Sequence, residues 1–113
     1  MEYQRSERVG DLLLELISEL LSREVRDPRV QGVTLTGAKV TKDLKLARIF
    51  FNILGGGEDR DAVLAGLRSA SGFIRSRVAK ELKLKFVPAI EFIYDQTEDQ
   101  AQRIADLLKK SGV

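Results

Sequence analysis

The sequence contains no cysteine, which excludes a disulfide framework, a thiol nucleophile and cysteine-ligated zinc. It contains no histidine either, and so lacks the side chain best suited to proton transfer near neutral pH and the commonest metal ligand. Long apolar runs are also missing. Stretches such as Leu12-Leu13-Leu14 and Ile49-Phe50-Phe51 fall far short of the roughly 20 residues that span a bilayer. The opening Met1-Glu2-Tyr3-Gln4-Arg5-Ser6-Glu7-Arg8 carries acids and no apolar segment, unlike a signal peptide. Together these absences lead us to expect a cytoplasmic protein without metal, cofactor or membrane contact.

What is present fits one small domain. A chain of 113 residues has room for a single core, taken here as one domain over 1–113. The formal net charge is only +2, but it is unevenly placed. From Arg68 to Lys85 the cations Arg68, Arg75, Arg77, Lys80, Lys83 and Lys85 stand against the single acid Glu81, a local net of +5 that leaves −3 for the rest of the chain. Positive charge concentrated on a near-neutral body is the footprint of a phosphate-binding surface; a solvated helix face is the plain alternative.

Apolar residues recur every three or four positions from Ser6 to about Arg26, predicting an amphipathic helix that Asp27-Pro28-Arg29 ends. Val33-Thr34-Leu35-Thr36 alternates as a strand, slips at Gly37-Ala38 and resumes to Val40, predicting a bulge. Lys42-Asp43-Leu44-Lys45 reads as a turn into a second strand from Leu46 to Leu54, antiparallel to the first because the connection is short. Gly55-Gly56-Gly57 is a break without the lysine and hydroxyl residue of a phosphate loop. Asp59 is placed to cap a helix through Ala70. Beyond Ala70-Ser71-Gly72, where the glycine either kinks one helix or joins two, lies a second helical stretch with Ile74, Val78 and Leu82 on one face, and Arg77, Lys80 and Lys83 away from it. Pro88 opens a third strand, parallel to the second across this long crossover. Thr97 to Gln100 fits a capping box for a last helix, with Gly112 just beyond its end. The expected fold is α+β, in the order α-β-β-α-α-β plus a C-terminal helix, with helices on one face of a three-stranded mixed sheet.

The first six elements follow the order of the KH type II fold, an RNA-binding architecture. Four ordered stretches carry the likeness further: Arg8; Asp27-Pro28-Arg29 followed by Val33-Thr34-Leu35-Thr36 and Val40-Thr41-Lys42-Asp43-Leu44 to Ala47; Leu67 to Arg75; and Val87-Pro88-Ala89-Ile90-Glu91-Phe92 with Asp95. By these the sequence resembles the bacterial ribosome-binding factor A family. The resemblance implies a KH type II-like domain in which an Ala-x-Gly helix-kink-helix, here Ala70, Ser71 and Gly72, replaces the usual Gly-x-x-Gly loop. It further implies an assembly factor, without catalysis, that binds the free small (30S) ribosomal subunit near the 5′ terminal helix of 16S rRNA. Such a factor supports late rRNA processing and cold adaptation, with assembly GTPases as further candidate partners. A monomer is expected. Ala38 and Ala89 depart from the family, which often has valine and an acid there.

Arg75, Arg77, Lys80, Lys83 and Lys85 are the main candidates for phosphate contacts, with Arg77 and Lys80 placed well inside the polar arc. Arg75 borders the apolar face and has Glu81 as an alternative partner. Arg68 has helix-end capping as its alternative. Arg5, Arg8, Lys42 and Lys45 are weaker extensions of the same surface. Phe73 is assigned to core space beside Gly72, with base stacking as the alternative, and Phe50, Phe51, Phe86 and Phe92 are read as core. No pair of carboxylates marks a catalytic cleft, and Asp27, Asp43 and Asp95 occupy structural positions. Two other functions compete: a KH-like protein for another structured RNA, and a dimerising or ligand-sensing module.

Overall fold

The computed structural model describes residues 4–55 and 59–110; Gly56, Gly57 and the helix-end Gly112 lie outside them. Val9, Leu13, Ile17, Leu20 and Leu21 form the buried stripe of helix α1 (Arg5–Arg23). The helix stops at Arg23 rather than near Arg26, because the N–H groups of Glu24 and Val25 both return to the Leu20 carbonyl, at 2.9 and 3.0 Å. Asp27, held extended before Pro28, then caps a short 3-10 turn, Pro28–Val30, that periodicity did not predict. The Asp27 carboxylate accepts from the Arg29 N–H at 2.9 Å and pairs with its guanidinium at 2.6 Å.

Strands β1 (Val33–Val40) and β2 (Leu46–Ile53) pair antiparallel, with the register shift between Leu35 and Gly37. The sheet order is β1-β2-β3, and β3 (Ala89–Tyr94) runs parallel to β2. One sheet face presents Ala47, Ile49, Phe51, Phe92 and Tyr94 to the buried residues of α1 and α2. Arg48 and Glu91 point to the other face and are exposed. This is the expected α+β, KH type II-like arrangement with one difference. Helix α2 (Arg60–Leu82) is a single helix that passes through Ala70, Ser71 and Gly72 without a break. The Ser71 hydroxyl donates to the Leu67 carbonyl at 3.1 Å, a bond one turn back that lets serine sit inside the helix and tends to bend it. Asp59 occupies the cap position of α2 without a side-chain hydrogen bond.

Gly66 explains how α2 reaches the 3-10 turn. A Cβ placed there would lie 2.9 Å from Val30 Cγ1 and 3.0 Å from Arg29 Cβ, so only glycine admits the contact. On the far side of this contact the Arg29 guanidinium reaches the Ser69 hydroxyl at 3.5 Å.

The last helix, α3 (Thr97–Lys110), starts one residue away from the predicted cap. Gln96 supplies the first accepting carbonyl, to the Gln100 N–H, and the Asp95 carboxylate accepts from the Thr97 N–H at 2.9 Å. Asp95 also accepts from the Thr36 hydroxyl at 2.7 Å, tying the bulge of β1 to the end of β3. These bonds, from Thr97 first and Thr36 after it, hold the Asp95 carboxyl below its ordinary 3.8. A carboxyl depressed on folding contributes stability that is complete above about pH 3.8 and lost as pH falls through its folded value. We therefore expect an Asp95→Asn variant to melt lower than wild type at pH 7. The gap should narrow below pH 3.8, as read from melting temperatures along a pH series.

Candidate nucleic-acid interface

Helix α2 carries most of the basic segment and divides it. Arg68 and Arg75 are two helical turns apart, so they share a face, and both are exposed. Because the helix continues to Leu82, Arg68 lies mid-helix and has no helix end to cap. Neither arginine forms a salt bridge among the described residues. Phe73, Arg77 and Lys80 occupy the other flank by the same geometry. Between the two flanks runs an exposed ridge of Ala65, Ser69, Gly72, Ser76 and Ala79. Among the described residues nothing lies within 4 Å of a Cβ placed on Gly72, so their packing does not require that glycine.

Arg77 differs from its neighbours. Its guanidinium donates to both carboxylate oxygens of Glu24 at 2.8 Å and to Glu81 at 3.0 Å. Hydrogen bonds to Glu24 and then Glu81 raise its pKa. The same guanidinium lies over the Phe73 ring, 5.8 Å from its centroid. Arg77 thus ties the end of α1 to α2. Glu81 pairs with it, and not with Arg75, because residues four apart are helical neighbours and residues six apart are not. Phe73 is 41% exposed beneath Arg77 and does not fill core space. Lys80 is exposed as expected. Lys83 has left the helix: it is the C-cap, with φ 51° in the left-handed region, so it does not continue the Arg77–Lys80 row.

The remaining candidates group elsewhere. Arg5, Lys45 and Lys85 line a concavity of about 550 Å³ together with Asp43, Leu44 and Phe86. Lys42 in the β1–β2 turn and Arg8 on α1 are exposed and line neither this concavity nor a smaller one of about 270 Å³ beside the α2 ridge. That smaller groove brings Arg26 next to Ser69, Ala70 and Phe73. The sequence reading missed Arg26, since a loop cation outside the dense basic segment carries no periodic signal. Phe86 is a second miss: it is 77% exposed, where core was expected, because it sits in the α2–β3 loop ahead of the strand. Phe51 and Phe92 are core, and Phe50 is half-buried on the outer face of the sheet.

The aspartates serve local structure. Asp43 accepts from the Thr41 hydroxyl at 2.6 Å and from the Lys45 N–H at 3.1 Å. These bonds hold its carboxyl below the ordinary value, as the Arg29 bonds do for Asp27. Carboxyls held ionised in this way are poorly suited to donate a proton at neutral pH. Among the described residues no cluster of three or more acidic side chains is placed to hold a metal ion, and no helix is long and apolar enough to cross a membrane.

A sequence model for ribosome-binding factor A matches residues 5–108. The chain belongs to the ribosome-binding factor A family. One relative of that name, from Trichlorobacter lovleyi, is 45% identical over 112 residues, covering 99% of this chain and 91% of its own. The crystal structure of ribosome-binding factor A from Thermus thermophilus superposes with a TM-score of 0.71 at 17% identity, covering 79% of this chain and 93% of that one, which shows the common fold. A homology model of the Thermus thermophilus factor, fitted into a cryo-EM map of its complex with the 30S subunit, gives a TM-score of 0.56 at 19% identity, covering 75% and 93%. In this chain Ala70, Ser71 and Gly72 lie within one continuous helix, with Gly72 exposed and Ala70 and Ser71 half-buried.

Proposed function

We propose that this protein is an assembly factor that binds the free small ribosomal subunit through the outer side of α2 and supports late maturation of 16S rRNA without catalysing a reaction. The observation that carries this reading is the family match over residues 5–108. The 30S complex of the Thermus thermophilus relative supports the choice of partner.

The geometry suits folded RNA. A duplex is recognised by shape and by contacts to phosphate and 2′-hydroxyl groups, because its base edges are hard to reach. Small side chains along the ridge of Ala65, Ser69, Gly72, Ser76 and Ala79 let a sugar–phosphate backbone approach the helix closely. Arg68 and Arg75 on one flank, and Lys80 with Arg26 on the other, then meet phosphates. No loop is present at the joint to clamp a single strand. The region around the 5′ terminal helix of 16S rRNA is the proposed contact, and a cytoplasmic monomer working beside assembly GTPases belongs to the same reading. Depleting the protein from its host should leave 16S rRNA with an unprocessed 5′ end and lower the yield of mature small subunits, measured by primer extension and gradient profiles. Wild-type protein should restore both and an Arg68→Glu/Arg75→Glu variant should not; normal 5′ ends after depletion would refute the maturation role.

A further inference from the structure

The concavity that gathers Arg5, Lys45 and Lys85 has no place in α2-mediated docking, yet it combines an apolar platform with a cationic rim. At about 550 Å³ it falls within the roughly 300–1,000 Å³ of sites that hold small ligands. Its base is built to be rigid. Leu44, Leu84 and Val87 pack against the core, and the Ala89 N–H donates to the Lys45 carbonyl at 2.9 Å, fastening β3 to the β1–β2 turn. Phe86 stands between these anchors with 77% of its surface exposed, an unusual state for a phenylalanine held on a fixed loop. The Lys85 ammonium lies 5.7 Å from the Phe86 ring centroid.

Charge narrows the occupant. Arg5, Lys45 and Lys85 make no salt bridge among the described residues. The carboxylate that lines the concavity, Asp43, commits one oxygen to the Thr41 hydroxyl and the Lys45 N–H. An aromatic surface ringed, among the described residues, by three cations against one acid complements a group that is flat and apolar on one side and anionic on the other. We infer that this concavity takes one unpaired nucleotide of the bound RNA, with its base stacked on Phe86 and its phosphate held by Arg5, Lys45 and Lys85. The inference rests on the RNA-binding reading above and adds a contact of a different kind. The α2 ridge meets the backbone of folded RNA, whereas this pocket recognises a base that has left its stack.

The probe is a six-nucleotide single-stranded RNA with 2-aminopurine at its centre, compared with a duplex of the same sequence and with purified small subunits. Wild-type protein should quench the 2-aminopurine of the single strand and leave the duplex unchanged. Phe86→Ala should abolish the quench and weaken binding to both single strand and subunits by roughly 5- to 150-fold, the range of one base–aromatic stack. Phe86→Trp should preserve both, and an unchanged melting temperature for each variant would show that the loop still folds. Absence of quenching by wild type, with Phe86→Ala binding subunits normally, would overturn the pocket while the subunit-binding reading stands. Weaker subunit binding by Phe86→Ala without any effect on the RNA probe would assign the pocket to a ribosomal protein and overturn the inference. Failure of wild type to bind subunits would instead count against the proposed function itself.

Discussion

Changing Arg68 and Arg75 together to glutamate should lower affinity for free small subunits by on the order of 100-fold at moderate salt, with the melting temperature nearly unchanged. Both residues are exposed, share a face two turns apart and make no salt bridge among the described residues. Removing each phosphate contact forfeits the release of a counterion, and the introduced acid adds repulsion, so roughly tenfold per residue is expected. Surface substitutions of this kind usually shift stability by no more than about 0.5 kcal/mol, and glutamate is nearly as good a helix former as arginine. Arg77 would be a poor choice for the same test. Arg77→Glu would set a third carboxylate beside Glu24 and Glu81, so lost binding and lost folding could not be separated. Binding assays paired with thermal melts of both variants check the contrast. Undiminished binding by the Arg68/Arg75 variant would move the interface off α2.

The same substitution at two glycines of α2 should act with opposite sign. Gly72→Ala places a methyl group in open space and should stabilise the helix by about 0.8–1 kcal/mol, the difference in propensity between alanine and glycine. Gly66→Ala gains the same propensity but drives a methyl group to 2.9 Å from Val30 Cγ1 and 3.0 Å from Arg29 Cβ, atoms that are not the free ends of a flexible chain. Overpacking of that kind costs about 1–3 kcal/mol, and the two variants should therefore differ in melting temperature by roughly 4–20 °C. The more telling result is functional. If RNA lies along the ridge, Gly72→Ala should bind small subunits more weakly although it folds more tightly. Equal gains in stability and binding would mean that nothing approaches the helix at residue 72.

Much of this architecture was legible because periodicity and turn chemistry agreed. The three-and-four spacing from Val9 to Leu21 corresponds to a buried stripe, and the slip at Gly37 corresponds to a register shift. The parallel pairing of β2 and β3 followed from the length of the crossover between them. What stayed hidden depended on contacts distant in sequence. An unbroken α2 could not be read from Ala70-Ser71-Gly72, because glycine lowers helix propensity whether or not the surrounding fold holds the helix together. Gly66 gave no signal at all, since its reason is the 3-10 turn more than thirty residues upstream.

The candidate interface was legible only in outline. Local charge density drew attention to α2, but it could not separate Arg75, which faces solvent, from Arg77, which is bound by Glu24 across 53 residues of sequence. Arg5, Lys45 and Lys85 share a concavity through three different elements, and no linear window contains them. Phe86 looked like strand core because aromatics beside Val87 and Ile90 usually are. The loop geometry turns it outward instead.

The central claim is that this chain binds free small subunits through phosphate contacts, and sedimentation across a salt series tests it most directly. If about five phosphates are neutralised, log affinity for purified small subunits should fall with log salt at a slope of roughly −3 to −5. The protein should travel with free small subunits and be absent from assembled ribosomes. A salt-independent affinity, or equal amounts in the two pools, would contradict it.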